Sequence, residues 1–277
     1  MRAFILGDGG TTLYSYSTLQ YLQVLQPSLL PTPAMSVVFN STGSFALLSG
    51  GSPAGSLAAY NTCDNSAVTT LTPTSLPGPP KFLKMVPAAE IPQGNPQGNM
   101  FGGILIPNLE AAGLDFFFGL DDTGIDLIAT NTSQDTSFAT LCPQKVTLAQ
   151  TTANTTFSPV HIDINQGTFH PINFFLSPDA TQAYIVTTDQ GVLVYNFDTG
   201  SVSNRIQLLN NAIPVAADMT VDGTLLYVAG SDGLLHQLNT VLGLDLYQTS
   251  FLPLANSPNS FCYTGSDCHL NLVAVKP

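Results

Sequence analysis

Residues 174–200 read FFLSPDATQAYIVTTDQGVLVYNFDTG. An apolar run ends in Ser177-Pro178-Asp179, a second runs through Ala183-Tyr184-Ile185-Val186, and a third follows Asp189-Gln190-Gly191. Residues 218–243, DMTVDGTLLYVAGSDGLLHQLNTVLG, repeat the same alternation of apolar run and turn. Residues 2–16, 39–60 and 105–130 carry it in more degenerate form. A short unit of this kind cannot bury its own faces, so it must stack on copies of itself.

The second strands of the five units begin at Ala3, Phe45, Phe116, Ala183 and Leu226. Two of the intervals match the roughly 40–50 residues of a four-stranded propeller blade, and the other two exceed it by about 25 residues. In the clearest unit, strands a to d fall at 173–177, 183–187, 192–197 and 203–208. The b–c turns are Asp8-Gly9-Gly10, Asp121-Asp122-Thr123-Gly124, Asp189-Gln190-Gly191 and Ser231-Asp232-Gly233. Their Asp/Gly chemistry suits the positive φ of tight hairpins. No stretch keeps the i, i+3, i+4, i+7 apolar spacing of a helix, and 20 Pro and 23 Gly interrupt the chain.

The fold expected is therefore all-β: one β-propeller domain over 1–277, built of four-stranded antiparallel blades. The blades fall at 2–30, 34–76, 102–150, 172–210 and 213–254, with a terminal hairpin at 260–277. Phe174-Phe175-Leu176 and Ile104-Leu105-Ile106 read as inner strands. Residues 74–101 and 151–171 read as insertions in d–a loops, on the same face as the b–c turns. Five units and a hairpin make either an open ring with blades missing or a smaller ring closed by a composite blade. The chain begins inside a blade, so an upstream part carrying a signal peptide is expected.

Hydrophobic residues make up 44% of the chain, which marks it as globular. Six Lys plus Arg stand against 18 Asp plus Glu, for a net charge of −12. Such a surface cannot neutralise a row of phosphates, so nucleic acid and anionic membrane surfaces are excluded as partners. No apolar run reaches the length of a membrane-spanning helix. The Lys-poor, Ser/Thr/Asn-rich composition points to an extracellular or periplasmic protein. The triplets at Asn40, Asn131 and Asn154 match the glycosylation sequon. Cys262 and Cys268 flank Thr-Gly-Ser-Asp turn chemistry and are expected to face each other as a disulfide. Cys63 and Cys142 follow strand c in successive units and form a second candidate pair across blades.

The clearest unit resembles the YVTN-type bacterial β-propeller repeat. Ser177-Pro178-Asp179, Ala183-Tyr184-Ile185-Val186, Gly191-Val192-Leu193-Val194-Tyr195 and Thr199-Gly200 carry the likeness. Val221-Asp222-Gly223, Leu226-Tyr227-Val228 and Gly233-Leu234-Leu235 match less fully. The resemblance implies a divergent, incomplete propeller of a bacterial surface or secreted protein, within a superfamily that also includes WD40-like and lactonase-like seven-bladed members. Fold alone does not name the function.

The insertion face is the expected binding face, since long loops on a rigid scaffold carry recognition. Its candidate residues are His161, Asp163, His170, Asp121, Asp122 and Asp189. Imidazole with carboxylate suits a divalent cation such as zinc or manganese. Against that, His161 and Asp163 with His170 nearby lack a metal-site spacing, and residues 163–167 lack the ligands of a calcium loop. No cofactor is therefore predicted, and the divalent cation stays an alternative. His236 reads as a packed strand residue. No nucleophile elbow or phosphate loop occurs, and the only two Glu are Glu90 and Glu110. The sequence favours a non-catalytic binding or scaffold module for a protein or carbohydrate ligand. The alternative is a propeller hydrolase, lactonase-like, with a central divalent cation.

Overall fold

The computed structural model describes residues 2–7, 12–17, 20–24, 33–40, 43–50, 56–62, 67–71, 80–86, 99–101, 104–106, 114–133, 145–148, 160–164, 167, 169–179 and 181–250. The chain divides into two compact units, Met1–Asn165 and Gln166–Pro277. Both are built from antiparallel blade-like sheets, and one short 3-10 turn at Leu209–Asn211 is the only helical element among the described residues. The chain is all-β, as the repeat requires.

In the first unit, β1 (Arg2–Gly7), β2 (Thr12–Ser17) and β3 (Gln20–Val24) form a three-stranded sheet. Next come β4 (Ala34–Phe39), β5 (Phe45–Gly50), β6 (Ser56–Asn61) and β7 (Ala67–Leu71), a complete four-stranded blade in chain order. Every residue of β5 is buried. The reason is period two: side chains alternate between faces, and both faces are covered. Phe45 and Leu47 pack towards the following sheet with Leu83, Phe117 and Ile128. Ala46 and Leu48 pack the other way with Phe4 and Leu13.

β8 (Phe82–Val86) is followed by a separate hairpin of β9 (Asn99–Phe101) and β10 (Ile104–Ile106). β11 (Leu114–Leu120) pairs with β8, and β12 (Gly124–Ser133) pairs with β11. This departs from the sequence expectation in two ways. The inner strand of this blade is β8, inside the supposed insertion at 74–101, whereas Ile104-Leu105-Ile106 pairs with Asn99–Phe101 instead. The Phe82-Leu83-Lys84-Met85-Val86 run was disguised by two lysines and by flanking prolines, which read as loop.

The outer edge of β12 is shared by two strands, β13 (Lys145–Leu148) and β14 (Val160–Asp163). Leu148 pairs with Thr130 and Val160 with Leu127. β13 and β14 therefore occupy the same edge of β12, with their nearest partners on it three positions apart. The supposed d–a loop at 151–171 thus contains a strand and ends within another.

The second unit holds two complete blades. One is β15 (Pro171–Leu176), β16 (Gln182–Thr187), β17 (Gly191–Asn196) and β18 (Ser201–Ile206). The other is β19 (Pro214–Met219), β20 (Leu225–Gly230), β21 (Leu234–Asn239) and β22 (Leu244–Ser250). They stack through one core in which Phe175, Tyr184, Val186, Val192 and Val194 meet Ala217, Leu226, Val228 and Leu238. Phe175 is buried as expected of an inner strand.

Gly191 and Gly233 take the positive φ expected of their turns, 75° and 80°. Gly124 does not. A side chain there would strike the Ile162 carbonyl, so this glycine is required by the close passage of β14. All four cysteines, and with them the expected bonds Cys262–Cys268 and Cys63–Cys142, lie outside the described residues, as does the hairpin at 260–277.

Candidate functional site

The end of β11, the turn after it and the strand that rejoins β12 bring three ionisable side chains together. Asp121 closes β11, Asp126 projects from β12, and His161 sits opposite Asp126 in the β12–β14 ladder. One carboxylate oxygen of Asp121, one of Asp126 and a ring nitrogen of His161 lie within 4.8 Å of one another.

Local hydrogen bonds fix each member. Asp121 Oδ1 accepts from Thr123 N–H at 2.6 Å, Gly124 N–H at 2.9 Å and the Thr123 hydroxyl at 2.6 Å. This is the Asx-turn chemistry that makes Asp common in tight turns. His161 donates from Nδ1 to Asp126 Oδ1 at 2.6 Å. Its Nε2 lies 3.1 Å from Thr123 Oγ1 and 3.2 Å from Asp163 Oδ1. The Thr123 hydroxyl has one proton, and Asp121 takes it. Nε2 is therefore the donor towards Thr123 and Asp163.

The second oxygens tell a different story. Asp121 Oδ2 and Asp126 Oδ2 are buried and have no partner. The Asp126 side chain is wholly inaccessible, while Asp163 is 82% exposed at the rim. Burial pushes the Asp126 carboxyl up to about 6; the His161 hydrogen bond opposes this and the neighbouring Asp121 charge reinforces it. His161 is also raised, because its hydrogen bond to Asp126 favours the imidazolium more than burial disfavours it.

The other sequence-derived candidates separate. Asp122 turns outward and pairs with Lys81 at 2.6 Å, both ends solvent-exposed. Exposed pairs of this kind contribute about 0–1 kcal/mol. His170 belongs to the second unit, where its Nδ1 lies 3.3 Å from Asp189 Oδ2. Asp121, His161 and Asp163 are thus brought together, and His170 with Asp189 forms its own pair.

Asp126 escaped sequence reading. Its signal is a lone carboxylate in the apolar run Gly124-Ile125-Asp126-Leu127-Ile128. A buried charge in a strand covered on both faces requires a partner. The same signal marks Asp245 within Leu244-Asp245-Leu246. That residue accepts from His236 Nδ1 at 2.6 Å, while His236 Nε2 lies 3.2 Å from Asp232. His236 is fully buried, as read from the sequence, and carboxylates occupy both sides of its ring.

Comparison of the chain with protein-family models finds no matching family. Comparison with curated proteins finds no similar sequence.

Proposed function

We propose that the chain is a binding or scaffold module of an exported bacterial protein, built on the propeller repeat that its clearest unit resembles. The observation that carries this reading is the meeting of Asp121, Asp126, His161 and Asp163 at one turn of a stacked-sheet scaffold. Packed sheets hold side chains in fixed positions at low entropic cost, which is what a recognition site needs. The ligand is a protein or a carbohydrate that engages this turn, with Asp163 as its exposed contact.

Thr123, His161 and Asp126 also favour a second reading, hydrolysis. A hydroxyl lies beside one ring nitrogen and a carboxylate beside the other, the order of nucleophile, base and orienting acid. Two features oppose it. The Thr123 proton is held by Asp121, and the adjacent amides of Thr123 and Gly124 are spent on the same oxygen instead of being free for an oxyanion.

One experiment separates the two. The purified chain is screened on glycan and extracellular-protein arrays and assayed against aryl esters and lactones. The module reading expects binding that falls at least about tenfold in Asp163→Ala, a cost of about 1.4 kcal/mol, without turnover. Turnover that disappears in Thr123→Ala and His161→Ala would replace it with the hydrolase.

A further inference from the structure

We infer that Asp121, Asp126 and His161 form a binding site for one divalent transition-metal ion of the zinc or manganese class. The inference deepens the module reading by naming a ligand of the same turn.

The two unpartnered carboxylate oxygens carry the argument. Each aspartate has one oxygen anchored and one buried without a partner. A buried polar atom left unpaired costs about 1–3 kcal/mol, and more when it is charged. Two such atoms in one three-residue cluster make the cost local and directed. A cation bound by both removes it.

The donor set selects the metal. Two carboxylates and one imidazole suit borderline and hard divalent ions rather than soft ones. Nδ1 is the ring nitrogen that faces Asp126, and the metal takes the place of its proton, which leaves to solvent; the Asp126 Oδ1 that this proton held is then satisfied by the same ion, so Asp126 offers it both oxygens. The opposite nitrogen, Nε2–H, is already held by Thr123 Oγ1 and Asp163 Oδ1. Ligating histidines characteristically donate their far N–H to such a partner, which fixes the ring. Asp163 is thus a positioning residue at the open rim, and water completes the coordination.

Charge supports the same assignment. Asp121 and Asp126 are both buried, and among the described residues the His161 imidazole is the cationic group that acts on Asp126. A divalent ion compensates both carboxylates where a single imidazolium cannot.

The test is direct metal binding. The chain is stripped with a chelator and titrated with Mn2+, followed by electron paramagnetic resonance, and with Zn2+, followed by calorimetry. One ion per chain is expected, with protons released on binding. Asp126→Asn and His161→Gln should each weaken binding about 100-fold or more. Asp163→Asn, which touches only the far ring nitrogen, should weaken it about tenfold. Because Asp126 is wholly buried, circular dichroism and His161→Gln at the partly exposed position guard against simple unfolding. No Mn2+ binding up to millimolar concentration, or affinity unchanged in both variants, would overturn the site in favour of a buried water or proton. Array binding that survives chelation would leave the module reading standing without the metal. Metal binding without any array ligand would do the reverse.

Discussion

His236 on β21 and Asp245 on β22 meet diagonally across a ladder that pairs them with Gln248 and Leu238, with Nδ1 2.6 Å from Oδ2 and both side chains sealed from solvent. Asp126 and His161 make the same 2.6 Å Nδ1–carboxylate contact as direct partners in the β12–β14 ladder, with the residue types exchanged between the two strands. In both pairs the far ring nitrogen lies 3.2 Å from a further aspartate, Asp232 for His236 and Asp163 for His161. The pairs differ in that Asp245 Oδ2 also accepts from Leu209 N–H at 3.0 Å. Removing His236 leaves the buried Asp245 carboxylate with the Leu209 amide but without its ring partner. His236→Ala should therefore destabilise the second unit by about 3–5 kcal/mol, read as a lowered urea midpoint at unchanged slope.

The turns before β16 and β20 share one device. Asp179 Oδ1 accepts from Ser177 Oγ, Thr181 N and Thr181 Oγ1, and Asp222 Oδ1 accepts from Thr220 Oγ1, Thr224 N and Thr224 Oγ1. Burial raises Asp179, but the hydrogen bonds from Ser177 and Thr181 outweigh it and hold the carboxyl below 3.8. Asp222 is lowered by its bonds from Thr220 and Thr224. A depressed folded-state value favours folding above the unfolded pKa, and that contribution is lost as pH falls through the folded value. Thermal midpoints should drop as pH falls below about 4, and Asp179→Asn with Asp222→Asn should flatten that limb. An unchanged acid limb in the double variant would remove these carboxylates as its cause.

Phe45 and Phe117 join neighbouring sheets in the first unit, with ring centroids 6.1 Å apart and both residues fully buried. Truncating either to Ala should cost about 3–5 kcal/mol. The double variant should cost less than the two together, because both side chains border one core. A urea-denaturation cycle measures the coupling, and strict additivity would mean that the rings are energetically independent.

Gly124→Ala should loosen β14 without disturbing β11, because the added methyl meets the Ile162 carbonyl. Hydrogen exchange should accelerate at the amides of Val160–Asp163, and metal affinity should fall with it. Protection unchanged in β14 would contradict the close passage.

Asn40 matches the glycosylation triplet, yet its side chain is committed to structure. Its Oδ1 accepts from Phe45 N–H at 3.1 Å, and its Nδ2 donates to Asp115 Oδ2 at 3.0 Å. The residue is 4% exposed. Expressed in a glycosylating host, the protein should carry no glycan at Asn40, as mass spectrometry of the tryptic peptides would establish.

The blades of the second unit were legible because continuous apolar runs alternate with turns and Gly191 and Gly233 mark those turns. β8 was hidden because propensity at prolines spoke louder than a five-residue apolar run. The site was half legible. Asp121, His161 and Asp163 announced themselves as polar chemistry next to turns. Asp126 is separated from His161 by 35 positions, and only the β12–β14 register makes them neighbours. That register follows an interruption of the outer strand, and no local pattern encodes where a chain rejoins a ladder.

The interrupted edge of β12 also bears on how such a protein is altered. Residues 149–159 join two points on one edge, paired to Thr130 and Leu127. Whatever connects those points can change in length at small entropic cost, since loop closure grows only logarithmically. The strand carrying His161 then returns to the same register. The edge is in effect a splice point. A foreign segment grafted there would leave the His161–Asp126 geometry in place, which makes the blade a host for inserted sequence and its metal affinity a readout of correct assembly.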